Sequence, residues 1–357
     1  MASATVSSGR LDSVRERFRT STAVRHLALA LAGLVVVVLV IESVSDFRAA
    51  QLSAMAYLGI AAGGLTVLTG LNGQLSLGHG AFMAIGAYTT ALLYQDLEPV
   101  LPLVGVLLVA TFVTLVIGAV VGVAAARLHG PYIAGATLAL AIAVPGIALY
   151  YGDTFGGEQG LSVRVPEIPA WFADLAFFIT ANEVSRSKYV AYLAWISLIV
   201  AFVLLANLSR SRVGRVWRAV RDDEVAAEIA GIDLGRARVL AFVVSTAAAG
   251  LAGAVMALAV RLAAPSGFTL VLSLTLLTAV VLGGLGSLLG ALIGAALLTF
   301  LPQVVTNLGL DMGLSSLQAA ELAPLVYGLV MVLVILLAPA GIVGSVRQWW
   351  WHRKAKA

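Results

Sequence analysis

Asn72, Gln74, Ser76 and His79 are four polar side chains able to handle a small solute, and they share residues 70–88, GLNGQLSLGHGAFMAIGAY, with five glycines. Amides, hydroxyls and an imidazole donate and accept hydrogen bonds, which is the chemistry of lining a polar cavity. Glycine weakens a helix by roughly 1 kcal/mol against alanine, and polar groups in hydrocarbon are costly unless something satisfies them. Gly70, Gly73, Gly78 and Gly80 therefore predict a turn or unwound stretch over 73–80 between two spans, near the centre of the subunit. There the freed backbone, with Gln74, Ser76 and His79, lines a translocation path and His79 faces protein. The plainer alternative is that Ser76 and His79 tie a tight bend to a neighbouring helix. His79 has no nearby His or acid with which to hold a metal.

A second set lies in 208–236, LSRSRVGRVWRAVRDDEVAAEIAGIDLGR. Asp222 reads as an N-cap, Asp223 and Glu224 put negative charge on a first turn, and Gly231 sits where a helix would stop. These signals predict a short helix over about 223–230, preceded by Arg215, Arg218 and Arg221. The alternative is an ordinary basic loop that sets topology. A third set, Gly286, Gly290 and Gly294, recurs at every fourth position and predicts a smooth helix stripe that lets another backbone approach closely. Gly118 and Gly122 repeat the pattern, and helix packing is the favoured reading of both.

Several chemistries are absent. The sequence contains no GxxxxGK[ST], no HExxH and no GxSxG, so it shows neither an energy source nor a hydrolytic site. Apolar runs from 53 to 308 carry no Asp or Glu within the spans, which argues against transport driven by an ion gradient. Zero cysteines exclude disulfides and thiol chemistry.

These residues must be positioned by membrane helices. Of 357 residues, 61% are hydrophobic and 11% charged, and apolar runs fall near 26–44, 53–70, 80–95, 102–126, 132–151, 189–207, 237–260, 271–289, 290–308 and 322–341. They predict an all-α polytopic membrane protein of about ten spans, retained in the bilayer. With both termini inside, cytoplasmic segments hold 17 of the 22 basic residues. The net charge of +4 thus reports topology and does not point to nucleic acid. The expected parts are a basic tail 1–25, a permease domain 26–345 with an external loop 152–188 and a cytoplasmic loop 208–236, and a basic tail 346–357. The region 271–308 reads as two spans or as one span with a re-entrant pair.

The segment GRVWRAVRDDEVAAEIAGIDLGRARVLAFVVSTAAAGLAGAV resembles the cytoplasmic loop and following helix of ABC-importer permeases. Their E-A-A-x-x-x-G signature corresponds to Ala226, Ala227 and Gly231, with the acid displaced to Glu224. GQLSLGHGAFMAIGAYTTALL, TFGGEQGLS and VVLGGLGSLLGALIGAALL are similar to stretches of the LivM-type permease of branched-chain amino acid importers, covering about 50–345. The resemblance implies an ABC-importer permease fold and a bacterial inner-membrane location. It also implies a subunit that is not itself an enzyme, with Arg218, Asp223, Glu224, Ala226, Ala227 and Gly231 coupling it to an ATPase. Its implied partners are a LivH-type second permease, two LivG/LivF-type ATPases that bind ATP and Mg, an external substrate-binding protein and the lipid bilayer. Permeases for urea and short-chain amides share similar motifs.

Overall fold

The computed structural model describes residues 22–94, 101–128, 131–164, 167–337 and 341–354, and these are overwhelmingly helical. The organising helices are α1 (Thr22–Ser43), α2 (Asp46–Leu65, continued as a π-helical segment Thr66–Leu71), α3 (His79–Leu93), α4 (Leu103–Ala125) and α5 (Pro131–Tyr150). Next come α6 (Ala170–Thr180), α7 (Arg186–Arg210), α8 (Arg212–Asp222), α9 (Glu224–Ile229) and α10 (Leu234–Val260). The chain closes with α11 (Leu270–Gly283), α12 (Leu288–Asp311), α13 (Ser316–Leu337) and α14 (Gly341–Lys354).

Among the described residues, nine helices are long and apolar enough to cross a membrane. The expected span 80–95 is a shorter helix, α3, 15 residues long and so about 22 Å, below the ~30 Å hydrocarbon core. It runs from the break at 72–78 to the loop 152–188, where Tyr88 meets Phe155, and so adds a tenth pass to the nine. The shortfall arises because 72–78 leaves the helix. The region 271–308 resolves into two helices, α11 and α12, joined by a turn in which Gly284 and Gly286 take φ of 117° and 81°. α13 begins at Ser316, before the expected 322, and α14 runs through the boundary drawn at 346.

α10 is the centre of the bundle, packed against α2, α3 and α4. Its inner face is almost all small residues, with Ala241, Ser245, Ala249, Gly250, Ala252 and Gly253 buried. Small residues let backbones approach, and dispersion between close surfaces replaces the hydrophobic drive that lipid cannot supply. A Cβ at Gly86 of α3 would lie 2.1 Å from the Gly250 carbonyl oxygen, and one at Gly253 would lie 1.9 Å from that of Met83. Gly118 and Gly122 of α4 face Thr246 and Phe242 of the same helix.

The rim is apolar and exposed, as lipid contact requires: Leu29 and Val35 on α1, Leu108, Phe112 and Val120 on α4, and Ile142 on α5. The loop 152–188 is tied to the bundle at two described points. Leu161–Ser162 pairs antiparallel with Leu262–Ala263, and Phe155 stacks edge-on to Tyr88 at 5.3 Å. α6 exposes Trp171, Phe177 and Phe178, the composition of a helix lying in a bilayer interface.

Candidate functional site

Residues 72–78 leave helical geometry, and hydrogen bonds hold the backbone at both ends of the stretch. The π turn ends with Asn72 N–H donating to the Val67 carbonyl at 3.2 Å and Gln74 N–H to that of Leu68 at 3.1 Å. Gly73 turns the chain at φ 83°, and Thr69 Oγ1 donates to the Gln74 carbonyl at 3.0 Å. The return limb leans on other helices. Leu77 N–H donates to Thr137 Oγ1 of α5 at 3.0 Å and Gly80 N–H to Ser273 Oγ of α11 at 2.9 Å. A Cβ at Gly78 would stand 2.3 Å from the Thr137 carbonyl oxygen, so only glycine fits there. Asn72, Gln74, Ser76 and Gly78 are buried in protein, as irregular backbone within a membrane requires, whereas Gly73 and Leu75 are exposed. The level of the break is a refinement: α2 with its π segment, Asp46–Leu71, is 26 residues, about 39 Å, so the break lies at the end of that span, beside α8.

Gly286 belongs to this site, which corrects the expected stripe. It sits in the turn before α12, and a Cβ at Gly70 would lie 2.2 Å from its amide nitrogen. Gly290 and Gly294 do lie on α12, where added Cβ atoms would strike the Gly283 and Ala279 carbonyl oxygens of α11 at 2.5 and 2.0 Å.

The basic segment before residue 223 is a helix, α8, which the arginine count alone did not predict. Val213, Val216, Trp217 and Val220 recur at helical spacing. Trp217 is fully buried and donates Nε1–H to the Ala237 carbonyl at 3.0 Å. α9 follows at once. Its N-cap is Asp223, whose side chain accepts from Ala226 N–H at 3.0 Å; the expected cap, Asp222, closes α8 instead and pairs with Arg221. The end at Gly231 has the two-bond pattern of a glycine C-cap, Ile232 N–H to the Ala227 carbonyl and Gly231 N–H to that of Glu228, with Gly231 at φ 83°.

Helix pair and break are bonded to each other. Arg221 Nη1 donates to the Gly70 carbonyl at 2.7 Å, and Gly73 lies against the same side chain. Gln74 Nε2 donates to the Asn72 side chain and to the Arg238 carbonyl, the latter at 3.1 Å. Arg238 is only 4% exposed and its charge is met by Glu224 at 2.6 Å. Removing one partner of such a pair leaves a buried charge unmatched. Glu224, one place from the family's acid position, is therefore the counterion of Arg238. Arg218 joins neither set; its Nη1 donates to the Ser209 carbonyl at the end of α7.

His79 is wholly buried at the first position of α3. Its ring lies beside α2, where a Cβ at Gly64 would come within 3.6 Å of Nε2, and it approaches the Ala61 carbonyl without the alignment of a full hydrogen bond. Thr66 Oγ1, Asn72 Nδ2 and Ser245 Oγ are buried with no partner among the described residues. Native interiors seldom leave such groups unpaired, so each calls for water, a solute or a second conformation to complete it.

α9 also carries what the sequence reading overlooked. Ala227 is buried toward the bundle, whereas Val225 is 67% and Ile229 83% exposed. They are four residues apart and share one face, on an element bonded to charged, water-facing residues. An apolar pair there is unpartnered among the described residues.

A bundle of membrane-length helices, with a break bonded to a capped helix pair at one end, defines a multi-pass membrane protein. The chain belongs to the family described as branched-chain amino acid transport system permease component, which its residues 48–335 match. It is similar to the high-affinity branched-chain amino acid transport system permease protein LivM of Escherichia coli K12, at 32% identity over 80% of this chain and 67% of that one. The LivH permease of the same strain is 28% identical over 79% of this chain and 89% of its own length. BraD of Pseudomonas aeruginosa is 26% identical over the same shares, 79% and 89%. No solved structure matches the chain.

Proposed function

We propose that this chain is the LivM-type permease subunit of an ATP-driven importer of branched-chain amino acids, supplying half of the path through the inner membrane. It is a transport subunit and not a hydrolase; ATP and Mg belong to two partner ATPases, and a LivH-type permease and an external binding protein complete the assembly. Both termini and the α8–α9 pair lie on the cytoplasmic side. The observation that carries the reading is the exposed Val225–Ile229 face on a helix pair whose other side is bonded to the break through Arg221 and the Glu224–Arg238 pair. An ATPase that seats on that face and moves it moves the break as well. Exposing an isoleucine that could be buried forgoes roughly 1.5–3 kcal/mol, which favours a partner there.

The test uses the assembled complex in proteoliposomes with labelled leucine and, separately, labelled urea. Ile229→Glu should leave the permease in the membrane while ATPase capture and leucine uptake fall at least tenfold, the loss expected from about 1.4 kcal/mol or more. Unchanged capture would overturn the docking assignment. Urea uptake in place of leucine would move the substrate to the amide branch.

A further inference from the structure

A groove of about 1010 Å³ runs along α1, walled by α2, α7 and the start of α12. Most of its surface is hydrocarbon, from Val37, Leu198, Ile199, Phe202 and Leu292. Gly33 lies midway along α1, and a Cβ there would meet nothing within 4 Å, so the groove is open at this position. One end differs in kind. His26, Ser209, Arg210, Arg218 and Ser287 gather where α7 meets α8, and no acid lines any part of the groove. Neither arginine has a carboxylate within ion-pair distance among the described residues. Arg218 commits one nitrogen to the Ser209 carbonyl, and Arg210 is exposed.

The dimensions select the occupant. From His26 to Ile41, both of which line the groove, α1 rises about 22 Å, whereas one leaflet contributes about half of a ~30 Å hydrocarbon core. An acyl chain therefore fits lengthwise with a headgroup at the arginines. A hydrophobic partner helix would satisfy the wall and leave two guanidinium groups unmatched. A free anion would satisfy the guanidinium groups and leave the wall empty. An amphiphile with an anionic phosphate satisfies both, through the fork of donors that arginine offers to phosphate oxygens. We propose that this groove binds one anionic phospholipid from the leaflet on the α8–α9 side, its phosphate between Arg210 and Arg218 and one chain laid past Gly33 toward Ile41. The proposal goes beyond transport and does not depend on which solute is carried.

Native mass spectrometry of the delipidated full-length complex, titrated with phosphatidylglycerol and with phosphatidylcholine, tests it. The parent should retain phosphatidylglycerol roughly thirtyfold more tightly, as two interfacial arginines allow. The double variant Arg210→Gln, Arg218→Gln should lose the preference, and Gly33→Leu should weaken both lipids by filling the chain path. Should Gly33→Leu fail to assemble, Arg210→Gln alone, an exposed position, should still lower the preference. Equal binding of the two lipids by the parent, or an unchanged preference in the charge variants, overturns the proposal. So does cross-linking of Gly33→Cys to the second permease at high yield, since protein would then occupy the groove; the chain has no other cysteine to confuse that readout.

Discussion

At the scale of single residues, Arg221, Glu224, Arg238 and His79 divide between linkage and support. Arg221 bonds a carbonyl that the end of the π turn leaves free, and Arg238 is a buried charge with one counterion. Glu224 is half exposed, which lets solvent screen the pair and lowers its worth below that of a fully buried one. Glu224→Gln should therefore lower the thermal stability of the purified permease by about 1–2 kcal/mol, the range of about 1.5–3 kcal/mol for hydrogen bonds to charged groups reduced by solvent screening. Glu224→Ala combined with Arg238→Met should cost less than the sum of the two single changes. A strictly additive double-mutant cycle would mean that the ion pair does not hold the helix pair to α10. His79 offers the sharper contrast between path and support. Its ring fills space against Gly64 without a well-aligned bond, so His79→Ala should chiefly leave a cavity. Less folded complex, with leucine uptake per complex preserved, is the expected result. Normal assembly with lost uptake would place the imidazole in the path.

At the scale of elements, the bundle is set by where backbones touch. Gly86 and Gly253 bring α3 and α10 into contact at 2.1 and 1.9 Å from any added Cβ to a facing carbonyl oxygen, and backbone cannot yield as a flexible side chain does. Gly86→Val should lower the unfolding temperature of the complex in detergent and reduce its yield, by about 1–3 kcal/mol of overpacking or more. Gly33→Val, on an open face, should change neither measurably.

The same scale shows what the sequence could and could not tell. A break was legible, expected over 73–80 and found at 72–78 with His79 and Gly80 already in α3, because glycines and amides contradict their apolar surroundings. Helix α9 was legible because an acidic cap and Gly231 bracket it, with Asp223 taking the role expected of Asp222. α8 was hidden: its arginines read as a topological charge run, although Val213, Val216, Trp217 and Val220 already had helical spacing. Gly286 was misread because a spacing of four arises as readily from a turn glycine followed by a helix as from one helix, and its φ of 81° is a property no spacing reveals. Val225 and Ile229 gave no signal because, in a chain 61% hydrophobic, two more apolar residues do not stand out.

At the scale of the whole molecule, the two ends of the bundle differ in chemistry, and the proposed topology puts the basic end in the cytoplasm. The end that carries α8 and α9 gathers Arg210, Arg212, Arg215, Arg218, Arg221, Arg236 and Arg238, and short basic segments stay on the cytoplasmic side. The other end holds α6, whose Trp171, Phe177 and Phe178 suit a bilayer interface. Phe178 is 88% exposed and Ile229 is 83% exposed, so each can report its own side without unfolding the protein. Because the natural chain has no cysteine, Phe178→Cys and Ile229→Cys each create a single reactive thiol. In intact spheroplasts, a membrane-impermeant maleimide should label Phe178→Cys and spare Ile229→Cys until the membrane is permeabilised. The reverse pattern would put the helix pair outside, away from any ATPase, and would sink the coupling role of Arg221 and Glu224 together with it. Labelling of both in intact spheroplasts would place the two helices on one side and contradict the transmembrane course of α7, the single span in the chain between α6 and α8.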